Sequence, residues 1–132
     1  MFGKVWKWAG VFRTHDLNIG VPWQHIETKL EVLLGNLRAW QEGDMPLIEQ
    51  AARLHHQAVF IHPFENGNGR WSRLLASIWQ KLHGQKTTEW PAATSSTHPE
   101  ESRIREEYLA AIRSADAGDL EALIELHRRY TQ

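Results

Sequence analysis

The sequence predicts an all-α fold, a compact bundle of five or six short helices around one glycine-rich loop. Apolar residues recur at the three- and four-residue spacing of a helix face along most of the chain. Glycine, proline and aspartate interrupt these segments where helices would begin and end. Residues 11–21 lack the helical period, and we expect an extended loop or a short β-hairpin there.

Composition narrows the class of protein. With 132 residues, 42% of them hydrophobic and 23% charged, the chain suits a single globular domain over residues 1–132. A formal net charge of −1 argues against a nucleic-acid partner, because such proteins usually carry a basic excess. No segment reaches the length of a membrane span, and no N-terminal signal pattern is present. The absence of cysteine excludes disulfides and thiolate metal sites and fits the cytoplasm.

Residues 1–10 have the apolar spacing of a helix that ends at Gly10. Because the chain starts inside this apolar turn, we expect a fragment, a late start codon or a naturally shortened chain that lacks an upstream helix. Trp6 and Trp8 would then be exposed and would favour self-association into a homo-oligomer.

Two long helices are expected next. Residues 22–41 carry an apolar stripe, with Pro22 in the first turn and Gly43 as the stop. Asp44 is expected to cap the following helix, which has Pro46 in its first turn. The stripe of this second helix leads directly into the glycine-rich loop and comprises Leu47, Ile48, Ala51, Leu54, His55, Ala58 and Val59.

The sequence pattern of the C-terminal half predicts three more helices. Residues 71–82 follow the loop and end near Gly84. Residues 85–99 are rich in Thr, Ser and Pro and form a connection. A helix over residues 100–115 and a last helix capped by Asp119 complete the bundle. Their expected inward positions are Ile104, Tyr108, Leu109 and Ile112, and then Leu120, Leu123, Ile124 and His127.

The glycine-rich loop reads HPFENGNGRWSR from His62 to Arg73. Gly67 and Gly69 allow a ligand to approach the main chain. A helix beginning near Gly69 points unpaired N–H groups into the loop, which makes a site for phosphate. Arg70 and Arg73 share a helix face and add two cations. His62 is the side chain best suited to accept a proton near neutral pH. This combination indicates phosphoryl or nucleotidyl transfer.

The same loop invites a metal interpretation through His55, His56 and His62. Their spacing fits no familiar histidine metal motif, and no carboxylate is placed to complete a set of ligands. We therefore interpret His55, which lies on an apolar helix face, as a hydrogen-bonded core residue.

These residues resemble the signature of the Fic (filamentation induced by cAMP) family, H-P-F-x-[D/E]-G-N-G-R-x-x-R. The sequence matches every defined position except one, where Asn66 replaces the acidic residue. Such an asparagine is similar to the mobile mystery protein B branch of the family. The resemblance extends to the C-terminal residues 105–126 and so covers nearly the whole chain. It implies a compact Fic-type helical bundle, with residues 11–21 forming a flap beside the active site.

The resemblance implies a protein adenylyltransferase, which moves AMP from ATP to a Ser, Thr or Tyr hydroxyl of a target protein. His62 would be the general base. Gly67, Asn68 and Gly69 would bind the α- and β-phosphates through main-chain N–H groups, and the Asn68 side chain would be an extra donor. Arg70 would hold the β-phosphate and Arg73 the γ-phosphate.

The flap implied by the resemblance would dock the target. An extended target segment would pair with the main chain of Ile19, Gly20 and Val21, which orders the hydroxyl with little sequence specificity. An ordinary surface loop explains residues 11–21 equally well.

Asn66 bears on the metal that the resemblance implies. In the family the acidic residue holds the Mg²⁺ that bridges the phosphates. An asparagine offers only a neutral carbonyl oxygen, which is a poorer ligand for a hard dication. Three outcomes are open at this stage. The phosphates and water hold the metal, Glu65 supplies the charge, or the protein has lost transfer and keeps nucleotide binding.

Many Fic proteins are held inactive by a helix reading [S/T]-x-x-x-E-[G/N], whose glutamate pairs with the arginine equivalent to Arg73. Residues 102–106 fit the first five positions but are followed by Glu107, and residues 96–100 lie in the connection that contains proline. We therefore do not interpret either segment as the inhibitory motif. The inhibitory element is then expected upstream of Met1, on a separate antitoxin chain, or not at all.

Two other functions compete with adenylyl transfer. One is a catalytically impaired module that binds a nucleotide or a partner, and Asn66 is the feature that favours it. The other is transfer of phosphate or another nucleotide, as in the Doc-like branch. That branch departs from G-N-G-R, so Gly67, Asn68 and Gly69 speak against it.

Overall fold

The computed structural model describes residues 11–96, 98–99 and 102–131. The helix expected over residues 1–10 therefore lies outside the described residues. The described part contains helices α1 (Ile26–Glu42), α2 (Leu47–Ile61), α3 (Asn68–Leu82), α4 (Ser102–Asp116) and α5 (Glu121–Tyr130), with short 3₁₀ turns at Trp23–His25 and Ala92–Ser95. None of the helices found in these residues is long and apolar enough to cross a bilayer.

Helix α2 lies at the centre of the molecule and packs against α1, α3, α4 and α5. Ala51, Ala52 and Ala58 have no exposed surface, and their small side chains let neighbouring helices approach closely. One apolar cluster joins α1, α2 and α3 and comprises Val21, Ile26, Leu30, Leu33, Leu37, Leu54, Ala58, Ile61, Phe64, Trp71, Leu75 and Trp79. The other joins α2, α4 and α5 and comprises Ala52, Tyr108, Ala111, Ile112, Ala115, Leu123, Ile124 and Leu126. The all-α prediction is confirmed for the described residues.

Helix α1 begins four residues later than expected. Pro22 opens a 3₁₀ turn instead of the helix, and the N–H of Trp23 is held by the Asp16 carboxylate at 2.8 Å. The predicted apolar stripe is confirmed, because Ile26, Leu30, Leu33 and Leu37 are buried and Leu34 and Trp40 are half-buried.

The expected cap at Asp44 is wrong. Helix α2 begins at Leu47, and no side chain caps it. Gln50 orders this turn from inside the helix instead, because its amide nitrogen donates to the carbonyls of Trp40 (3.2 Å) and Met45 (2.8 Å). Its amide oxygen accepts from the Trp79 indole at 2.9 Å. A buried glutamine thus ties the end of α1 to α2 and α3.

The predictions for the C-terminal helices agree more closely with the structure. Tyr108 and Ile112 are buried as predicted, whereas Ile104 is 37% exposed and was wrongly placed inward. The N-cap residue of α5 is Leu120 and not Asp119 as predicted, but the Asp119 carboxylate still accepts a hydrogen bond from the N–H of Glu121, the first residue of the helix, at 3.1 Å.

The β-hairpin predicted for residues 11–21 is wrong, since this segment contains no strand. The hairpin pairing is replaced by contacts with the end of α2. The N–H of Arg13 donates to Pro63 (2.9 Å), and that of Val21 to Ile61 (3.4 Å). Carbonyl groups within the segment are bound by the Arg13 guanidinium instead of by a partner strand. We call residues 13–21 the flap segment.

Two fully buried histidines join the central helix to the C-terminal one. His55 Nδ1 lies 2.9 Å from His127 Nε2, and His55 Nε2 lies 2.7 Å from the Tyr108 hydroxyl. The other nitrogen of His127 lies 3.0 Å from the Thr88 hydroxyl, so all four ring nitrogens have partners. The interpretation of His55 as a hydrogen-bonded core residue is confirmed. Burial lowers the pKa of His55 well below 6.5, with smaller contributions from His127 and Arg73, and lowers the pKa of His127 to about 3.

Acid should therefore destabilise the fold. In the folded state both imidazoles stay neutral, so below pH 6.5 the unfolded chain binds more protons and the free energy of unfolding falls as the pH falls. Between pH 7 and pH 5 each histidine should remove about 2 kcal/mol from that free energy. Urea denaturation across this pH range measures the loss, and His127→Gln should reduce it by about half.

The exposed His25 provides the matched control, because His25→Gln should leave the pH dependence unchanged. If His127→Gln does not fold, an NMR titration of the imidazole protons in the unsubstituted protein decides the same point. A buried histidine that titrates near 6.5 would contradict the prediction.

Candidate active site

The candidate site is built on the loop between α2 and α3. Helix α2 ends at Ile61 and is followed by its C-cap residue His62, whose backbone is left-handed with φ 52° and ψ 62°. Among the described residues His62 is the one non-glycine residue with positive φ, a conformation that costs roughly 1 kcal/mol or more. Gly67, with φ 80°, turns the chain into α3. The backbone reversal at His62 directs the chain away from α2 and leaves the imidazole half-buried at the helix end.

Aromatic packing and one asparagine fix this loop. Phe64 is buried against Phe12 (ring centroids 5.6 Å apart) and Trp71 (5.2 Å). The Asn68 amide accepts from the Phe64 N–H at 2.9 Å and donates to the Phe64 carbonyl at 2.8 Å. The Asn68 amide is thus buried and bound within the loop, and its role as an extra phosphate donor stays a prediction. Its main-chain N–H remains at the start of α3.

Helix α3 presents free main-chain donors at its start. The first N–H bonded back along this helix is that of Trp71, which donates to the Gly67 carbonyl at 3.0 Å. The amides of Asn68, Gly69 and Arg70 precede it and have no intrahelical partner. Together with the helix dipole they form a positive region at the loop.

One cavity of about 350 Å³ brings most of the predicted residues together. Its lining includes the side chains or backbone of Ile19, His62, Gly67, Asn68, Gly69, Arg70 and Arg73. Gly20 and Val21 do not line it, and Val21 is buried. Asn66 is exposed and lines a neighbouring cavity with Arg13 and Glu65. The base, the helix start and both arginines thus face a common space, whereas Asn66 faces another.

Sequence reasoning missed one wall of this cavity. Arg105, Leu109 and Ile112 of α4 line it, together with Val59 and Ser95. Arg105, Tyr108, Leu109 and Ile112 follow the spacing of a single helix face. A cation on this otherwise apolar stripe was the available signal. The cavity therefore has an apolar wall beside a third arginine.

Arg73 is fixed in place by neutral partners. Its guanidinium donates to the Tyr108 hydroxyl at 3.3 Å and to the Ser95 hydroxyl, and it lies 5.5 Å from the centre of the Tyr108 ring. Gly69 leaves room for it, since a Cβ there would lie 3.2 Å from Arg73 Nη1. Within the described residues no carboxylate pairs with Arg73, so its charge is directed at the cavity without compensation.

The electrostatic environment keeps His62 neutral. Partial burial is the main cause that lowers the pKa of His62, and the nearby Arg13 cation adds to it. The imidazole forms no hydrogen bond with any described residue. A neutral, unbound ring nitrogen at neutral pH is the state that a general base needs.

The described residues do not fit a magnesium site made by the protein. Asn66 is exposed and offers one amide oxygen, and the neighbouring Glu65 carboxylate lies 3.4 Å from the His15 imidazole. Nowhere in the described ranges do three or more His, Asp or Glu side chains form a group that could hold a metal ion. Among the described residues lining the cavity the charged groups are arginines, which suit an anion.

Curated relatives are similar to this chain over most of its length. The protein adenylyltransferase fic-1 of Caenorhabditis briggsae is 28% identical over 128 residues, which cover 94% of this chain and 23% of the relative. The protein adenylyltransferase Fic of Aedes aegypti is 26% identical over 120 residues, which cover 88% of this chain and 22% of the relative. The chain therefore spans about a quarter of the length of these curated relatives.

Solved structures show the same helical arrangement. A structure of Fic-1 (residues 134–508) from C. elegans matches with a TM-score of 0.71 and 27% sequence identity, covering 92% of this chain and 34% of that one. The E274G form of the same protein matches with a TM-score of 0.73. The fold of the described residues is thus the Fic fold, without the hairpin that the sequence predicted.

The sequence model of the Fic/DOC family matches residues 2–79, which include the glycine-rich loop and the start of α3. This match covers more than half of the chain and agrees with both the relatives and the solved structures. Placement in the mobile mystery protein B branch stays a prediction. The chain belongs to the Fic/DOC family.

Proposed function

We propose that this chain is a protein adenylyltransferase domain, which moves AMP from ATP to a Ser, Thr or Tyr hydroxyl of a target protein. The observation that carries the proposal is the shared cavity, where a neutral histidine faces the free start of a helix and uncompensated arginines. The names of the relatives support the same reaction class. A cytoplasmic location stays part of the proposal.

In the proposed reaction the oxygen of the target hydroxyl attacks the α-phosphorus of ATP. The bond from this phosphorus to the oxygen that bridges it to the β-phosphorus breaks, and pyrophosphate leaves. A ring nitrogen of His62 takes the hydroxyl proton. The main-chain N–H groups of Gly67, Asn68 and Gly69 bind the α- and β-phosphates, where pre-aimed donors stabilise the developing charge.

In this proposal the arginines bind the two outer phosphates of ATP. Arg70, which is exposed at the cavity, binds the β-phosphate, and Arg73 binds the γ-phosphate through the guanidinium that Tyr108 and Ser95 orient. The apolar wall of Val59, Leu109 and Ile112 suits the adenine ring. These assignments match Arg70, Arg73, the start of α3 and the apolar wall each to a part of ATP that suits it chemically.

Target docking is proposed for the exposed part of the flap segment. Ile19 is 62% exposed and lines the cavity. Val21 has both main-chain groups occupied, since its N–H donates to Ile61 and its carbonyl accepts from Arg13. Main-chain pairing with a target is therefore limited to Ile19, Gly20 and the residues before them.

The same cavity suggests how activity could be restrained. A carboxylate placed against Arg73 would compete with the γ-phosphate. Glu107, which is adjacent in sequence to Tyr108, pairs with Arg129 at 2.9 Å instead of with Arg73. We propose that any inhibitory carboxylate comes from outside the described residues, on an upstream helix or an antitoxin chain.

The second candidate is a catalytically impaired Fic-like module that binds nucleotide or a partner. The position of Asn66 favours it, because the residues around it do not form a metal site. In this case ATP binds through the arginines and the helix start, but transfer is slow or absent.

Removal of the base should abolish transfer. With α-labelled ATP, the protein or a target in a cell lysate should acquire label, and His62→Ala should lower the rate about 10²- to 10⁴-fold. Because the pKa of His62 is lowered, the rate should rise with pH and reach half its maximum below pH 6.5. The exposed His25→Ala is the matched control and should retain the rate. Equal labelling by His62→Ala would overturn the assignment of the base.

An acidic residue at position 66 should restore a metal ligand. In Asn66→Asp the Mg²⁺ concentration for half-maximal labelling should fall about tenfold or more, because a carboxylate adds a full charge near a dication. Gln41→Glu, which adds the same charge on an exposed part of α1, should change nothing. If the parent protein is silent and Asn66→Asp is active, the metal was limiting. If both are silent but ATP still binds, the second candidate function holds.

A further inference from the structure

Arg13 is a buried cation held by main-chain carbonyls instead of by an acid. Its side chain is 3% exposed, and no described carboxylate pairs with it. The guanidinium donates to the carbonyls of His62 (2.7 Å), His15 (3.0 Å) and Ile61 (3.3 Å), and to that of Val21. Burial of a guanidinium costs free energy, and here neutral acceptors alone offset this cost.

The four carbonyls come from two separate parts of the chain. His15 and Val21 belong to the flap segment, whereas Ile61 and His62 form the end of α2. The main chain repeats this connection, because the Arg13 N–H donates to the Pro63 carbonyl at 2.9 Å. The Arg13 guanidinium therefore connects the flap segment to His62, the proposed base.

Gly20 brings the two parts into direct contact. Its φ is +91°, and a Cβ there would lie 2.7 Å from His62 Cβ and 2.9 Å from Arg13 Nη2. These distances leave no room for a larger residue. The backbone of the flap segment thus lies directly against the base, in a conformation that glycine adopts without strain.

We propose that Arg13 is a positioning residue that holds His62 in its left-handed backbone conformation and fixes the flap segment against it. The base and the segment proposed to dock the target then form one rigid unit. The consequence for catalysis rests on the proposed function, whereas the coupling between the two segments does not. Arg13 itself does not line the cavity that contains His62 and the phosphate-binding groups.

The first test measures the coupling without any enzymatic assay. The His62 imidazole is titrated by NMR in the parent protein, Arg13→Gln and Arg13→Lys. Loss of the cation in Arg13→Gln should raise the pKa of His62 toward its ordinary value, and Arg13→Lys should leave it nearer to that of the parent. Arg70, Arg73, Arg105 and the neutral Tyr108 also line this cavity and are unchanged in all variants.

Exchange of the Val21 amide hydrogen reports on the flap segment in the same samples. It should be at least tenfold faster in both variants, because neither glutamine nor lysine can bind four divergent carbonyls. Parent-like exchange together with a parent-like pKa of His62 in Arg13→Gln would overturn the proposal.

The second test separates positioning from ATP binding. In Arg13→Gln the maximal rate of labelling should fall about a hundredfold, while the affinity for ATP stays within about twofold, since the phosphate-binding groups are untouched. Arg53→Gln, which removes a half-buried arginine that pairs with Glu49 on α2, is the matched control and should retain both values. A loss of ATP affinity equal to the loss of rate would overturn the proposal.

Gly20→Ala covers the case in which Arg13→Gln does not fold. This change keeps the arginine in the chain but places a Cβ against both His62 Cβ and Arg13 Nη2. It therefore separates the flap segment from His62, so the rate should fall without loss of ATP affinity. If the parent protein transfers no label, the titration and the amide exchange still decide the coupling. The failure of the proposed function is thus distinguishable from the failure of this inference.

Discussion

The burial of helix α2 on both of its faces is the constraint on which the rest of the structure depends. One face contributes Leu54, Ala58 and Ile61 to the cluster with α1 and α3, and the other contributes Ala52 to the cluster with α4 and α5. A helix enclosed in this way cannot shift along its axis without disturbing both clusters. His62, the C-cap residue that follows this helix, therefore has a fixed place relative to the other walls of the cavity.

A chain of hydrogen-bonded polar side chains extends this rigidity to Arg73. It runs from Arg73 through the Tyr108 hydroxyl to His55, then to His127 and Thr88. Burial keeps both histidines neutral and also raises the pKa of Tyr108, so the whole chain orients Arg73 without adding a negative charge. Orientation by neutral groups leaves the full attraction of the guanidinium for an anion. An ion pair with a buried acid would have reduced it.

Structural features that depend on neighbouring residues could be predicted from the sequence. Features that depend on contacts between distant residues could not. The apolar stripes of α1 and α2 and the helix start beside Gly67 follow from spacing and backbone freedom, and they are found where expected. The hairpin failed because the acceptors of the flap segment are satisfied by Arg13, which also binds carbonyls 48 and 49 residues away. No local pattern reveals such a partner. Arg105 did carry a local signal, a cation on an otherwise apolar helix face, but its place beside the cavity depends on how α4 packs against α2.

The cavity that contains His62 is lined by positive charges, and this bears on the effect of Asn66 in the neighbouring cavity. The described charged residues that line the cavity are Arg70, Arg73 and Arg105, and the base beside them is neutral. Such a space attracts a polyanion such as a triphosphate strongly and repels a free dication. With asparagine at position 66, the protein adds no carboxylate that would reverse this preference. In the proposed function, phosphate binding therefore depends on arginines and helix amides that the fold holds in place, and the nucleotide itself carries any metal ion.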